Sequence, residues 1–466
     1  MEDTQMSQPI STENRGIAEQ RVRSLGLMSN VMEDESRPPM LIGETSFVRI
    51  RTLAEEDPNL VFISLAHRID LSLLKESFRQ IRKSGASGVD GVTAKEYAEN
   101  LEENLYNLYQ RLQRGQYVAT PVKRIWIPKE NGKMRPIGIP ALEDKIVQKA
   151  VETILYVIYD VDFYDFSHGF RKKHSQHMAI QEIREQCLKL NINWIVDADI
   201  RGFFDNIVHR LLMEIIRKRV NDGGILRLIG KWLNAGVMEE GKRSYSENGT
   251  PQGGVISPLL ANIFLHTVLD EWFVKVVKPR MKGRCFIIRW ADDFIIGFEI
   301  KSDADRVMAV LPKRFGKYGL SLNMEKTKLI PFMKPTKKYT PETFDFLGFT
   351  FYWGKSLMGK WVLKKQTAAK RLKRFMKALW EWFRSVRHEP VREQYEQLCA
   401  KLRGWYQYYG VRCNYIALES VYEYARKAWR YWLNRRSNKG KTCWEKFKKV
   451  LNSTFPLPRP RIIHNI

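Results

Sequence analysis

The stretch from Trp194 to Pro331 restricts most strongly what this chain can become. Residues 194–200 read WIVDADI, an apolar run of strand length. Apolar residues then recur at helical spacing over 206–220, 225–235 and 259–276. Residues 286–290 and 294–298 are apolar runs joined by the tight turn Ala291-Asp292-Asp293. A helical pattern over 303–318 and a last strand within 321–331 complete the series. Strand, helix, hairpin, helix, strand is the order of a split βαβ sheet, so the chain is expected to be α+β. In that topology the end of the first strand lies beside the turn of the hairpin. Asp199 sits at the first place, and Asp292 and Asp293 at the second.

Carboxylates crowded at one sheet edge repel unless a cation joins them. Mg²⁺ suits the place: it is hard, prefers oxygen, and binds through one or two carboxylates plus substrate phosphates. Two such ions would activate an attacking hydroxyl and stabilise the leaving oxygen of a phosphoryl transfer. An Asp-Asp turn alone is more often structural, because hairpin turns favour Asp. The constellation with Asp199 carries the expectation.

Charge points to the partner. The 466 residues hold 78 Lys and Arg against 52 Asp and Glu, a formal charge of +26. Residues 355–466 alone hold 27 Lys and Arg against 7 Asp and Glu, whereas residues 1–60 are acidic with 6 against 11. A surplus so localised favours a polyanion over a merely solvated surface. No apolar run reaches 18 residues, so no membrane span is expected. The polar N-terminus lacks a signal-peptide core. Five scattered cysteines without a CxxC pair fit a reducing cytoplasm.

Four regions are expected. Residues 1–45 form a polar tail with a short helix near 16–27. Residues 46–352 hold the mixed body, with helices broken near Asp70, a Gly-rich loop over 85–93 and a strand pair over 122–128 and 134–140. Residues 353–440 are helical, basic and aromatic, and 441–466 are a basic C-terminal tail. Of the aromatics Trp380, Trp382, Trp405, Tyr406, Tyr408, Tyr409, Tyr422, Tyr424, Trp429, Tyr431 and Trp432, about two-thirds are expected in the core. The rest could stack on bases beside Lys and Arg.

Seven motifs stand in order: IPKENGKMRPIGIP (127–140), DFSHGFR (165–171), DADIRGFFD (197–205), GTPQGGVISPLLANI (249–263), RWADDFIIGF (289–298), LNMEKTKLIPF (322–332) and FDFLGFTF (344–351). In order and spacing they resemble the reverse transcriptase/maturase encoded by bacterial group II introns, from about Phe47 onward. The resemblance implies a right-hand polymerase of fingers and palm with a helical thumb/maturase domain. It implies RNA-directed DNA synthesis with two Mg²⁺ ions, or Mn²⁺ in their place. The implied partners are group II intron RNA, a template–primer duplex, target DNA and deoxynucleoside triphosphates, with splicing assistance and retrohoming as the biological role.

Carried over position by position, Asp199, Asp292 and Asp293 match the metal-binding aspartates. Lys129 and Arg135 match fingers residues that grip the triphosphate, a task suited to a point charge and a forked guanidinium. Phe204 matches the bulky residue under the sugar, with ordinary core as its alternative. Gln252 matches the loop lining the nascent base pair, with a plain turn as its alternative. Lys326 matches a lysine near the leaving pyrophosphate, with a common surface lysine as its alternative. Lys370, Arg371, Lys373, Arg374 and Lys377 are the expected RNA-binding cations.

The sequence departs from the family at Trp290, where Tyr is usual before Ala291-Asp292-Asp293, and at His168, where an aromatic Tyr is more usual. No His/Asn endonuclease pattern is found, and His174 and His177 are not read as ligands. Two other roles stay open on sequence alone: a domesticated reverse transcriptase in DNA repair or phage defence, and a non-catalytic RNA-binding splicing helper.

Overall fold

The computed structural model describes residues 42–128, 134–239, 242–244, 249, 253–436 and 441–466. The expected tail helix near 16–27, Lys129 and Gln252 lie outside the described residues. From Ile50 onward the chain packs as one unit.

The break expected near Asp70 is a helix start. Asp70 accepts from the Leu73 amide at 2.7 Å and caps the Leu71–Gln80 helix, satisfying one of its unpaired N–H groups. Strands β1 (Val122–Pro128) and β2 (Met134–Ile139) pair antiparallel, with Ile127 opposite Arg135. Strands β4 (Val237–Glu239) and β5 (Lys242–Ser244) extend them into a small sheet of order β2-β1-β4-β5.

The central sheet contains β3 (Trp194–Ala198), β6 (Cys285–Trp290), β7 (Asp293–Phe298) and β8 (Lys328–Pro331). Its order is β6-β7-β3-β8, with every neighbouring pair antiparallel. This is the split βαβ arrangement expected from the pattern. The helices Gln176–Lys189 and Lys301–Gly316 pack on it. Buried strands read as continuous apolar runs, which is why β6 and β7 show no alternation. Gly297 faces Phe286 across the pair, and a Cβ on it would stand 2.2 Å from the Phe286 ring.

The helix expected over 259–276 is regular only over Ser257–Leu265. It then opens into π-helical turns at His266–Asp270 and Phe273–Val277. A 3.6-residue apolar pattern does not register one inserted residue per turn, so the sequence reads as one helix.

Strands β9 (Phe344–Phe346), β10 (Phe349–Lys355) and β11 (Trp361–Thr367) form a third sheet. The β9–β10 turn carries Leu347 and Gly348 at φ +49° and +80°. The helical region grips this turn, with the Tyr408 hydroxyl donating to the Leu347 carbonyl at 2.7 Å. Helices Ala369–Ser385, Val391–Tyr409 and Tyr415–Leu433 follow. Five of their eleven aromatics noted above are buried, five half-buried, and Tyr431 is exposed, so fewer are fully enclosed than expected. They meet as ring pairs, such as Phe375 on Trp405 at 4.0 Å and Trp380 on Tyr431 at 4.9 Å. Past residue 441 a helix spans Trp444–Ser453, and His464 bridges back to Val411.

Candidate active site

The β6–β7 register pairs Trp290 with Asp293, leaving Ala291 and Asp292 as a two-residue loop. Such loops need left-handed backbone. Ala291 supplies it at φ +56°, a conformation that costs a non-glycine residue about 1–2 kcal/mol. Asp199 follows the end of β3, the strand hydrogen-bonded to β7. The fold therefore brings Asp199, Asp292 and Asp293 to one edge of the sheet, as the topology requires.

The electrostatics report that crowding. Burial pushes the Asp293 carboxyl up to about 6, and Asp292 and Asp199 add to the rise, while Lys326 and Arg371 oppose it. Asp293 as a whole residue is exposed, while its carboxyl is crowded by protein. Asp292 is raised as well, by burial first and then by Asp199, against the pull of Arg135 and Arg289. A fourth carboxylate belongs to the group. Asp197, two residues before Asp199, is pushed up to about 6 by burial and then by Asp293, Asp199 and Asp345. Its signal in the sequence was the two-residue strand period, which puts 197 and 199 on one face.

Raised carboxyls in mutual repulsion are a donor set that a hard divalent cation relieves, so the residues fit Mg²⁺. Among the described residues, no group of three or more His, Cys, Asp and Glu side chains stands arranged to hold a metal ion. Mg²⁺ needs only one or two carboxylates from a protein and completes its shell with waters and substrate phosphates.

Around the carboxylates, Lys326 Nζ lies 3.0 Å from Asp199 Oδ2. Arg135, exposed on β2, reaches Asp292 electrostatically. Phe203 and Phe204 divide their roles. Phe203 is buried at 2% exposure, whereas Phe204 is half-exposed, with its ring edge-on to Phe203 at 5.3 Å. The turn starts at Gly202, φ +53°, and enters a 3₁₀ turn over Phe203–Asp205. Gly249 lies against this turn, donating to the Ile207 carbonyl at 2.8 Å. Gly253 lies against β2, where a Cβ would stand 2.6 Å from the Gly138 carbonyl. The two described ends of the 249–254 loop thus touch the Phe204 turn and the strand of Arg135.

His168 is buried, its Nε2 donating to the Glu182 carboxylate at 2.8 Å and its Nδ1 paired with His174 Nδ1 at 3.0 Å. Its backbone N–H donates to the Arg289 carbonyl. His177 stacks on His464 at 3.8 Å. Trp290 is half-buried against the core.

The five cations expected to bind RNA lie on the Ala369–Ser385 helix, and all five are exposed. Lys370, Lys373, Arg374 and Lys377 follow the i, i+3, i+4, i+7 spacing of a single face. Arg371 lies off that stripe, near enough to Asp293 to lower its pKa.

The comparisons agree with this geometry. Residues 127–351 match the family described as reverse transcriptase (RNA-dependent DNA polymerase). The chain is similar to the protein YkfC of Escherichia coli K12, 36% identical over 47% of this chain and 65% of that protein. It is similar to the group II intron-encoded protein LtrA of Lactococcus lactis, 44% identical over 35% of this chain and 27% of that one. A COX1/OXI3 intron 1 protein of Saccharomyces cerevisiae is 28% identical over 59% of this chain and 38% of its own length. The chain thus spans under two-thirds of each of these relatives. Among the described residues no helix is long and apolar enough to cross a membrane. Residues 127–351 thus form a reverse transcriptase domain, and the chain is similar to reverse transcriptases and maturases encoded by group II introns.

Proposed function

We propose that the protein is an active RNA-directed DNA polymerase that binds a group II intron RNA, assists its splicing and copies it into DNA. The observation carrying this is the carboxylate edge: Asp199, Asp292 and Asp293 together, each of the last two raised in pKa by burial and by its neighbours. A protein kept only for RNA binding gains nothing from holding buried like charges together.

Asp199 and Asp292, with Asp293 beside them, would hold two Mg²⁺ ions. Bound there, the ions supply charge neutralisation for the triphosphate and activation of the primer 3′-hydroxyl. Arg135, and Lys129 beyond the described residues, bind the triphosphate oxygens by charge-assisted hydrogen bonds. Phe204 stands under the sugar and excludes a 2′-hydroxyl. Gln252, between Pro251 and Gly253, lines the nascent base pair in a loop whose glycines allow close backbone approach. The stripe Lys370, Lys373, Arg374 and Lys377 binds RNA phosphates, with Arg371 turned toward the palm. Lys326 neutralises Asp199 until substrate enters. Deoxynucleoside triphosphates, the template–primer duplex, intron RNA and target DNA are the partners this scheme requires. The regions 46–352 and 353–440 would act as fingers-palm and thumb/maturase.

Primer extension on an RNA template tests the proposal. The purified protein should extend a DNA primer with deoxynucleotides in Mg²⁺ and stop when the metal is chelated. A chain that binds RNA tightly yet adds no nucleotide would contradict it.

A further inference from the structure

Behind the Asp292 turn lies a polar cluster that the sequence motifs do not explain. Arg289 is wholly buried at 0% exposure, and so is Asp270. The guanidinium uses every donor it has. Nε and Nη2 donate to Asp270 Oδ1 and Oδ2 at 2.9 and 2.5 Å. Nη2 also donates to Ser167 Oγ at 2.6 Å, and Nη1 to Asn262 Oδ1 at 2.9 Å. The fifth bond, from Nη1 at 3.0 Å, ends on the Ala291 carbonyl.

Stability alone is a weak reason for such a cluster, because well-packed apolar residues often replace a buried ion pair at no loss. The target of the fifth bond is more informative. Ala291 holds the left-handed conformation that a glycine would take freely, and something must keep it there. Arg289 holds its carbonyl. Gly169 lies against its amide, where a Cβ would stand 2.2 Å from the Ala291 nitrogen. Asn262, 1% exposed, ties the two supports together: its Oδ1 accepts from Arg289, and its Nδ2 donates to the Gly169 carbonyl at 2.7 Å.

The helix is shaped for this. Asn262 and Asp270 are eight residues apart, which in a regular α-helix turns them about 80° from each other. The π-helical turn at His266–Asp270 widens the winding between them, and both face one guanidinium.

We infer that Asn262 and Arg289 are positioning residues that fix the Ala291–Asp292 turn from behind, and that the metal affinity of the carboxylate edge depends on them. The inference rests on the metal-binding role proposed above. Partners that orient metal ligands typically cost 10–100-fold in affinity when removed.

Mn²⁺ binding to the full chain, followed by electron paramagnetic resonance without nucleic acid or nucleotide, tests this beside thermal unfolding. Wild type should bind Mn²⁺ at a site lost in Asp292→Asn. Asn262→Asp keeps an acceptor for Arg289 but loses the donor to Gly169, and should weaken Mn²⁺ about 10-fold. Ser167→Ala removes an Arg289 bond that does not lead to the turn, and should leave Mn²⁺ affinity within about twofold while lowering the unfolding temperature. Should Asn262→Asp not fold, Asn262→Ser, which lacks the amide donor but is smaller and uncharged, carries the same expectation. Unchanged Mn²⁺ affinity in the folded Asn262 variant overturns the inference, as does an equal loss in Ser167→Ala. Wild type lacking an Asp292-dependent Mn²⁺ site overturns the metal-binding role itself, and this inference with it.

Discussion

Lys326 reaches across the palm edge to Asp199, its ammonium 3.0 Å from Oδ2, while Asn323 Nδ2 donates to the same oxygen at 3.1 Å. Asn323 also holds the Asp199 carbonyl through its backbone N–H at 2.8 Å. The segment after the Lys301–Gly316 helix therefore fixes Asp199 and supplies its counter-charge.

If Asp199 holds a metal as proposed, the Lys326 ammonium on its carboxylate competes with that metal. Lys326→Met should lower the Mg²⁺ concentration for half-maximal primer extension severalfold, read from rates across a Mg²⁺ titration. A loss of kcat at unchanged Mg²⁺ dependence would instead assign Lys326 to proton transfer at the leaving pyrophosphate, where general acids contribute about 10²–10⁴-fold.

Phe203 is a core residue, and Phe204 is the proposed sugar gate. Phe203 is enclosed, and its truncation to Val should mainly destabilise the fold, at the low end of the cost of large-to-small core changes, about 1–3 kcal/mol. Phe204 is half-exposed in the turn five residues after Asp199. Phe204→Val should raise incorporation of ribonucleotides relative to deoxynucleotides while the unfolding transition barely moves. Single-nucleotide incorporation assays on both variants decide it; an unchanged sugar preference in Phe204→Val removes the gate.

The basic stripe makes a prediction about salt. Neutralising Lys370, Lys373, Arg374 and Lys377 together should weaken RNA binding. The log–log salt dependence should flatten by about 0.7–0.9 for each phosphate that the variant no longer neutralises. Arg371→Gln should change that slope less than any member of the stripe, because Arg371 lies toward Asp293. An unchanged slope in the fourfold variant moves the RNA surface elsewhere.

Asp144 predicts a pH effect remote from the palm edge. It is buried, accepts from the Tyr117 hydroxyl and from the Thr120 amide at 3.0 Å, and burial pushes its carboxyl up to about 6. A raised carboxyl favours the protonated folded state, so its stabilising contribution is full below about 4 and is lost as pH rises through about 6. Asp144→Asn does not ionise. Its stability relative to wild type should therefore improve by up to about 3 kcal/mol between pH 4 and pH 8, measured by urea unfolding. A difference that stays flat with pH contradicts the raised value.

Much of the palm was legible because its strands are apolar runs in which charges are few. Asp199, Asp292 and Asp293 stand out against WIVDADI and FIIRWADDFIIGF for that reason. The strand order then followed from the element order alone. What lay hidden depends on contacts between distant segments. Arg289 reads as one more basic residue, and only the fold reveals that Asp270, Asn262 and Ser167 enclose it. Asp197 was overshadowed by Asp199 although it shares its face. Residues 441–466, read from charge as a tail, include a helix and a returning segment held by Gly410, whose carbonyl accepts from the Ile463 amide at 2.7 Å. Their few apolar anchors, Phe447, Leu451 and Leu457, are too sparse to announce that docking.

The most direct test of the central claim compares Asp292→Asn with wild type in two assays on one preparation. In the proposed scheme carboxylates hold the metals and cations hold the nucleic-acid backbone, so RNA-templated extension in Mg²⁺ should be abolished while RNA affinity stays within about twofold of wild type. An Asp292→Asn protein that extends primers at the wild-type rate would contradict the assignment of the carboxylate edge as the polymerase centre.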